Sequence, residues 1–127
     1  MSALVLDAGA LVAVDRGDRQ MIARLRVAHS DGFDLRTTGV VVAEAWRNTA
    51  GRQARLARVL RAVDVKAVDL ELGRRAGALL DLNHSDDPVD ATVVCAANSG
   101  DRILTGDRDD ISRLVSASGR SILVIGC

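Results

Sequence analysis

The chain has 127 residues, 48% of them hydrophobic, and this content predicts one core and a single domain over residues 1–127. Its 17 basic and 17 acidic residues cancel, so no global field attracts nucleic acid or an anionic membrane, and polyanion binding would need a local patch. No apolar stretch is long enough to span a bilayer, the start lacks a basic leader, and both cysteines lack metal-ligand spacing. We therefore expect a cytoplasmic protein with no membrane partner.

Strand signals alternate with helix signals in the first half of the chain. Apolar runs bounded by turn residues predict strands, and apolar residues three or four apart predict helices. The predicted elements are a strand at 3–7, a short helix at 11–14, a helix at 18–29, a strand at 33–38, and helices at 40–48 and 52–62. Asp18 is the expected N-cap of the second helix, and a kink is expected at Gly51 between the last two helices.

The same alternation continues in the second half. The predicted elements are a strand at 65–70, helices at 71–83 and 88–99, a strand at 102–106, a helix at 109–117 and a strand at 121–125. Pro88 fits the first helical position, with Asp87 as the N-cap. Continuously apolar strands alternating with helices predict an α/β fold, a three-layer domain whose parallel sheet of about five strands is flanked by helices.

Four acidic residues interrupt or close apolar stretches that contain no Lys or Arg: Asp7, Glu44, Asp90 and Asp107. A carboxylate in apolar surroundings needs a compensating partner. Asp7 and Asp107 follow predicted strands, so they should lie at the carboxyl edge of the sheet, where ligands bind at the reversal of strand order. The four acids together predict a shared cation.

Helix capping is an alternative explanation for three of these acids. Asp7 precedes a predicted helix and is a preferred N-cap residue, and Asp107 or Asp109 could cap a later helix. Asp90 falls at the third helical position, where an acid interacts favourably with the helix dipole. Glu44 lies in the middle of VVVAEAW, where neither effect applies, and a buried Glu without a partner would be costly.

An all-oxygen ligand set predicts Mg²⁺ or Mn²⁺, and with two histidines in the chain zinc is disfavoured. Such an ion would polarise a phosphodiester and lower the pKa of a bound water, which supports an in-line attack on phosphorus. Asp110 lies one helical turn after Asp107 and could act as an outer ligand. The Thr105 hydroxyl could hold a carboxylate or a metal-bound water.

The motifs LDAGALVA, AEAW, DATVVCAA and LTGDRDD occur in an order that resembles a PIN domain, specifically the VapC type of toxin ribonuclease from bacterial toxin-antitoxin pairs. The resemblance covers essentially the whole chain. It implies a PIN-like fold, Mg²⁺-dependent cleavage of RNA and inhibition by a cognate antitoxin protein. It assigns the metal-binding quartet to Asp7, Glu44, Asp90 and Asp107, with Thr105 and Asp110 in support and Asp109 solvated.

Four arginines recur every third residue and form a candidate RNA-backbone surface: Arg52, Arg55, Arg58 and Arg61. Arginine suits phosphate contacts, although a solvated polar face explains the pattern equally well. With Phe33 and Trp46 as the only aromatic residues, base stacking is a poor explanation for RNA recognition. Exposed apolar helix faces would allow a homodimer.

Other classes of protein remain as alternatives. A dinucleotide-binding domain is disfavoured because GxGxxG is absent and Asp7 would repel a pyrophosphate. A phosphoacceptor signalling domain would need a lysine beside its acidic pocket, and Lys66, the only lysine, opens a predicted strand on the wrong edge. A catalytically idle metal-binding module that serves as a partner for another chain is separated from an enzyme by an RNA cleavage assay.

Overall fold

The computed structural model describes residues 2–48 and 51–127. Within these residues the chain forms five strands and seven helices. The elements are β1 (Ala3–Leu6), α1 (Ala8–Asp15), α2 (Arg19–Ser30), β2 (Asp34–Thr38), α3 (Gly39–Ala45), α4 (Ala54–Leu60), β3 (Val63–Lys66), α5 (Leu70–Asn83), α6 (Pro88–Ala96), β4 (Arg102–Thr105), α7 (Arg108–Ser118) and β5 (Leu123–Gly126).

The five strands form one sheet in the order β3-β2-β1-β4-β5, and every neighbouring pair is parallel. The chain moves outward from β1 to β2 and β3, then returns to the other side of β1 to form β4 and β5. Strand order therefore reverses between β1 and β4. The predicted fold class, a parallel sheet of about five strands flanked by helices, is confirmed.

Crossover handedness explains the layers. Parallel strands are joined by right-handed crossovers in nearly all proteins, so connections that run in opposite directions across a sheet place their helices on opposite faces. Helices α1 to α4 belong to the connections on the β2 side, and α1 contacts α2, α3 and α4. Helices α5, α6 and α7 belong to the other side and contact one another. The sheet thus lies between two helical layers.

Strand β1, which lies between β2 and β4, forms the centre of the core. All four residues of β1 are buried, because helices cover both faces of this central strand. Leu11 from α1, Leu56 from α4 and Ile111 from α7 are fully buried against the sheet. Each side chain of this size contributes about 1.5–3 kcal/mol when it leaves water. Among the described residues, no helix has the length and hydropathy needed to cross a membrane.

Capping residues set the start of several helices. Asp18 accepts a hydrogen bond from the Met21 N–H at 2.9 Å, as predicted, and Asp87 accepts from the N–H groups of Val89 and Asp90, both at 3.1 Å. Pro88 occupies the first position of α6, where a missing N–H costs nothing. These caps fix where α2 and α6 begin, and the start of α6 sets the position of Asp90.

Several predicted elements have different bounds in the structure, among them the third strand and the helix after β2. The strand predicted at 65–70 lies earlier, at Val63–Lys66, because Asp69 accepts from the Leu72 N–H and so begins α5 at Leu70. The helix predicted at 40–48 ends at Ala45.

A loop, not a kinked helix, leads from α3 towards α4. The buried Gln53 side chain accepts from the N–H groups of Arg47 and Asn48 at 2.9 and 3.2 Å and donates to the Ala45 carbonyl at 3.0 Å. Gly51 has a φ of +71°, a left-handed conformation that glycine adopts readily. Positions 49 and 50, part of the predicted kink region, lie outside the described residues.

Candidate metal centre at the carboxyl edge of the sheet

The reversal of strand order brings two predicted site residues together at one edge of the sheet. Asp7 follows β1 directly, and Thr105 is the last residue of the neighbouring strand β4. Both are buried, with 6% and 0% of their surface exposed. Carboxyl ends of parallel strands at a reversal are where α/β proteins bind ligands. The predicted location of Asp7 at the carboxyl edge of the sheet is therefore correct, and its role in a site stays a prediction.

The Asp7 carboxylate is held by three hydrogen-bond donors. Its Oδ2 accepts from the Thr105 hydroxyl and from the Gly106 N–H at 3.3 Å, and its Oδ1 accepts from the Ala10 N–H at 3.4 Å. The last bond makes Asp7 the N-cap of α1, as the capping interpretation predicted. The same carboxylate nevertheless lies at the sheet edge, so capping and a role in a site are compatible.

The Thr105 hydroxyl also orients Asp107. It accepts a hydrogen bond from the Asp107 N–H at 2.9 Å while it donates to Asp7. Asp107 stands at the N-cap position of α7, but its side chain makes no capping hydrogen bond. Capping therefore explains the Asp107 carboxylate less well than it explains the Asp7 carboxylate, and the closest neighbour of the Asp107 carboxylate is Asp110.

Three carboxylates converge at this edge. One oxygen each from Asp90, Asp107 and Asp110 lies within 4.8 Å of the others. We call these three residues the acidic triad. Helix α6 contributes Asp90, and α7 contributes Asp110 within its first turn. Within residues 2–48 and 51–127, the triad is the single group of three or more Asp, Glu, His or Cys side chains with this spacing.

Asp90 is the least compensated member of the triad. The residue is 9% exposed, and its Oδ2 has no hydrogen-bond partner among the described residues. Asp110 has a partner in Arg113, three residues later, but both side chains are more than half exposed, so the pair contributes little and leaves Asp90 unpaired. A buried carboxylate oxygen without a protein partner is uncommon and is able to accept a cation or a water.

The electrostatics of the triad follow from this crowding. Burial, then repulsion from Asp87, Asp107 and Asp7, raises the pKa of Asp90 from 3.8 to about 7. The pKa of Asp107 is also raised, first by loss of hydration and then by its contact with Asp110. Both pKa shifts arise first from burial and then from the neighbouring negative charges. A divalent cation with a preference for oxygen ligands, such as Mg²⁺ or Mn²⁺, fits these residues.

Glu44 differs from its prediction. The sequence predicted a buried acid, whereas Glu44 is exposed on α3 and does not belong to the acidic triad. Val41 and Ala45, one helical turn apart, face the core, and Ala43 and Glu44 lie on the opposite, solvent-facing side. The argument that Glu44 must be compensated because it is buried is therefore wrong, and its role as a metal ligand stays a prediction.

The four arginines of the candidate RNA surface are all exposed, but they do not form a straight stripe. Helix α4 spans Ala54–Leu60, so Arg52 precedes it and Arg61 follows it. A step of three residues turns a helix by about 300°, so Arg55 and Arg58 point in directions about 60° apart. Their contact with RNA stays a prediction.

The sequence patterns missed two glycines beside Asp7. A Cβ atom on Gly9 would lie 3.0 Å from the Gly106 N and 3.2 Å from the Asp7 Oδ1, so the first turn of α1 packs closely against the backbone that follows β4. A sequence does not show which backbone segments approach each other, so this contact could not be predicted. The T-x-D-x-x-D spacing did indicate Asp110, which belongs to the triad itself.

Comparisons with known proteins address the fold. The sequence matches no protein-family model and no curated protein. The structure is similar to a chain in the crystal structure of VapBC2 from Rickettsia felis bound to a DNA fragment from their promoter, with a TM-score of 0.71, 10% sequence identity and coverage of 98% of both chains. A parallel five-stranded sheet with helices in this arrangement is a PIN-like α/β fold.

Proposed function

We propose that this protein is a metal-dependent ribonuclease of the VapC type, in which the acidic triad and Asp7 form the catalytic centre. The observation that carries the proposal is the convergence of Asp90, Asp107 and Asp110 around the unpartnered, buried Oδ2 of Asp90. Uncompensated carboxylates at a ligand-binding edge are typical of a functional site. The choice of RNA as substrate rests on the resemblance of the four sequence motifs to VapC toxins.

Asp90, Asp107 and Asp110 would hold Mg²⁺ or Mn²⁺, with Asp7 beside them. A divalent ion supplies Lewis-acid polarisation of a phosphodiester oxygen. The chain itself contributes rigid placement: the Thr105 hydroxyl bridges the Asp7 carboxylate and the Asp107 N–H, so one buried group orients both strand ends. An RNA phosphate would be repelled by the bare triad, so substrate binding should depend on the cation.

A protein partner is part of the proposal. The similar structure is a VapBC2 assembly, and a VapC-type toxin would be neutralised by a cognate antitoxin. A homodimer is also proposed, because Val65, Val68 and Leu70 leave 42%, 43% and 67% of their surface exposed next to the edge strand β3.

The phosphoacceptor alternative has less support. Strand β3 lies at the edge of the sheet, with β2 between it and β1, and the Lys66 ammonium pairs with Asp64 at 3.1 Å. Lys66 is therefore far from Asp7 and already has an acidic partner. A catalytically idle metal-binding module would share this structure and differ only in activity. An RNA cleavage assay distinguishes the two.

The test is cleavage of RNA by the purified protein with Mg²⁺, followed by sequencing of the RNA ends. Asp7→Asn should abolish cleavage and keep the fold, because Asn caps a helix as well as Asp does while the charge is lost. Asp107→Asn should lower the rate by more than about 100-fold. The matched control is Asp109→Asn, an exposed neighbour outside the triad, which should cleave normally.

Two results would contradict the proposal. Undiminished cleavage by Asp7→Asn and Asp107→Asn would place the chemistry elsewhere. Absence of cleavage by the unmodified protein with both Mg²⁺ and Mn²⁺, across total cellular RNA, would favour the idle module.

A further inference from the structure

A cavity of about 580 Å³ adjoins the proposed catalytic centre on the side of α1 and α2. Its volume falls within the roughly 300–1,000 Å³ of pockets that hold small-molecule ligands. The cavity is bordered by Gly9, Gly106 and Gly126 near the sheet edge and by Arg16 and Arg24 from the side of α1 and α2, with the Arg24 guanidinium reaching Gly126. No residue of the acidic triad lines it, so it is a separate space next to the triad.

Glycine forms the wall between this cavity and Asp7. Gly106 donates its N–H to the Asp7 Oδ2, and Gly9 lies so close that a Cβ there would be 3.2 Å from the Asp7 Oδ1. Among the described residues, no side chain stands between the cavity and this carboxylate at these two positions. A polymer bound at the sheet edge can therefore continue into the cavity across exposed backbone.

The α1 and α2 side of the cavity carries Arg16 and Arg24, which are opposite in charge to the triad. Neither Arg16 nor Arg24 has a carboxylate within 4.0 Å among residues 2–48 and 51–127. Arg24 donates to the Gly126 carbonyl at 3.2 Å, which keeps the guanidinium at the cavity and uses one of its five donors. The Asp18 carboxylate, also at the cavity, accepts the Met21 N–H as the N-cap of α2.

The two charged regions match different parts of one ligand. A cation at the triad would attract one phosphate, and the Arg24 guanidinium beside Gly126 would attract a second phosphate at the cavity. Between them the lining is apolar where Val12, Ala13 and Met21 contribute. An unpaired base can contact such an apolar surface, and the guanidinium plane of an arginine can stack on the base. A duplex offers no free base for this space.

We propose that this cavity holds the nucleotide next to the scissile phosphate of a single-stranded RNA, with Arg24 as the contact to the adjoining phosphate and the Gly9–Gly106 wall as the passage from the catalytic centre. The inference rests on the proposed ribonuclease function and adds the residues of this chain that position the RNA beside the scissile bond.

The experiment measures binding of a fluorescein-labelled single-stranded oligoribonucleotide by fluorescence anisotropy, with Ca²⁺ in place of Mg²⁺, at several salt concentrations. Arg24→Ala should raise the Kd about tenfold and lower the slope of log Kd against log salt by about 0.7, as loss of one phosphate contact does for a single strand. Ala13→Phe fills the cavity without a change of charge and should raise the Kd while the slope stays unchanged.

The matched control is Arg74→Ala, which removes an exposed arginine from α5 in the other helical layer and should leave both Kd and slope unchanged. Arg24→Ala should also keep the Mg²⁺-induced rise in melting temperature, which reports the triad and verifies the fold. Wild-type affinity and salt slope in Arg24→Ala would overturn the cavity assignment. Absence of RNA cleavage by the unmodified protein would instead overturn the proposed function, so the two failures are distinguishable.

Discussion

Replacement of Asp90 by Asn should stabilise the metal-free protein above neutral pH. Asp90 is 9% exposed, its Oδ2 is unpartnered, and burial together with repulsion from Asp87 and Asp107 raises its pKa from 3.8 to about 7. This difference corresponds to an upper limit of roughly 4 kcal/mol for the cost of the ionised carboxylate. Solvent screens the charges of the exposed neighbours, and the introduced amide must find its own hydrogen-bond partners. The expected gain in the free energy of unfolding is therefore about 1–3 kcal/mol.

The pH dependence follows from the direction of the pKa shift. The folded protein holds the Asp90 proton more tightly than the unfolded chain, so between about pH 4 and about pH 7 the folded state binds more protons. The contribution of Asp90 to stability is therefore fully present below about pH 4 and is lost as the pH rises towards 7. Asp90→Asn lacks this titration, so the variant and the wild type should differ most above neutral pH.

Thermal unfolding in EDTA across this pH range measures the effect. For a chain of this size, 1 kcal/mol corresponds to about 3–5 °C in Tm. Asp109→Asn, which removes an exposed acid near the triad, is the control and should follow the wild-type curve. If Asp90→Asn loses stability with rising pH as steeply as the wild type does, ionisation of a buried and crowded Asp90 carboxylate is not the cause of the loss, and this explanation is refuted.

Three further variants address other parts of the site. Thr105→Val should lower the free energy of unfolding by about 1–3 kcal/mol, because Asp7 loses a donor and the Asp107 N–H loses its acceptor; Thr105→Ser should retain most of the stability in the same unfolding assay. Glu44→Gln should change stability by less than about 0.5 kcal/mol, since the side chain is exposed, and a loss above about 2 kcal/mol would contradict its placement. If Glu44 is a metal ligand, this variant should also cleave RNA more slowly at unchanged stability. Joint replacement of Arg55 and Arg58 by Ala should reduce the salt slope of RNA binding by about 1.4, and an unchanged slope would make these arginines a solvated surface.

The sequence predicted the fold well because short strand signals, the most apolar of them at β1 and β5, alternate regularly with helix signals. Where a local signal was ambiguous, the prediction failed: Val65 and Val68 resemble strand residues, yet Asp69 starts a helix one residue later, and an exposed edge strand tolerates an early end. A pattern of apolar residues does not show where a cap will overrule it.

The candidate site was predicted unevenly for a similar reason. Asp7 and Asp107 could be located because they follow strands, and the ends of parallel strands share an edge. Glu44 could not, because VVVA is apolar on every side and so does not reveal which face of the helix turns towards the core. The convergence of Asp90 with Asp110 depends on how α6 and α7 pack together, which no local pattern encodes.

The most direct test of the central claim, that the acidic triad is a metal centre, is anomalous diffraction from crystals of the protein grown with Mn²⁺. We expect an anomalous peak between the carboxylates of Asp90, Asp107 and Asp110, and no peak there in crystals of Asp107→Asn. A structure in Mn²⁺ without density between these three carboxylates, or with the ion bound only at other residues, would contradict the account.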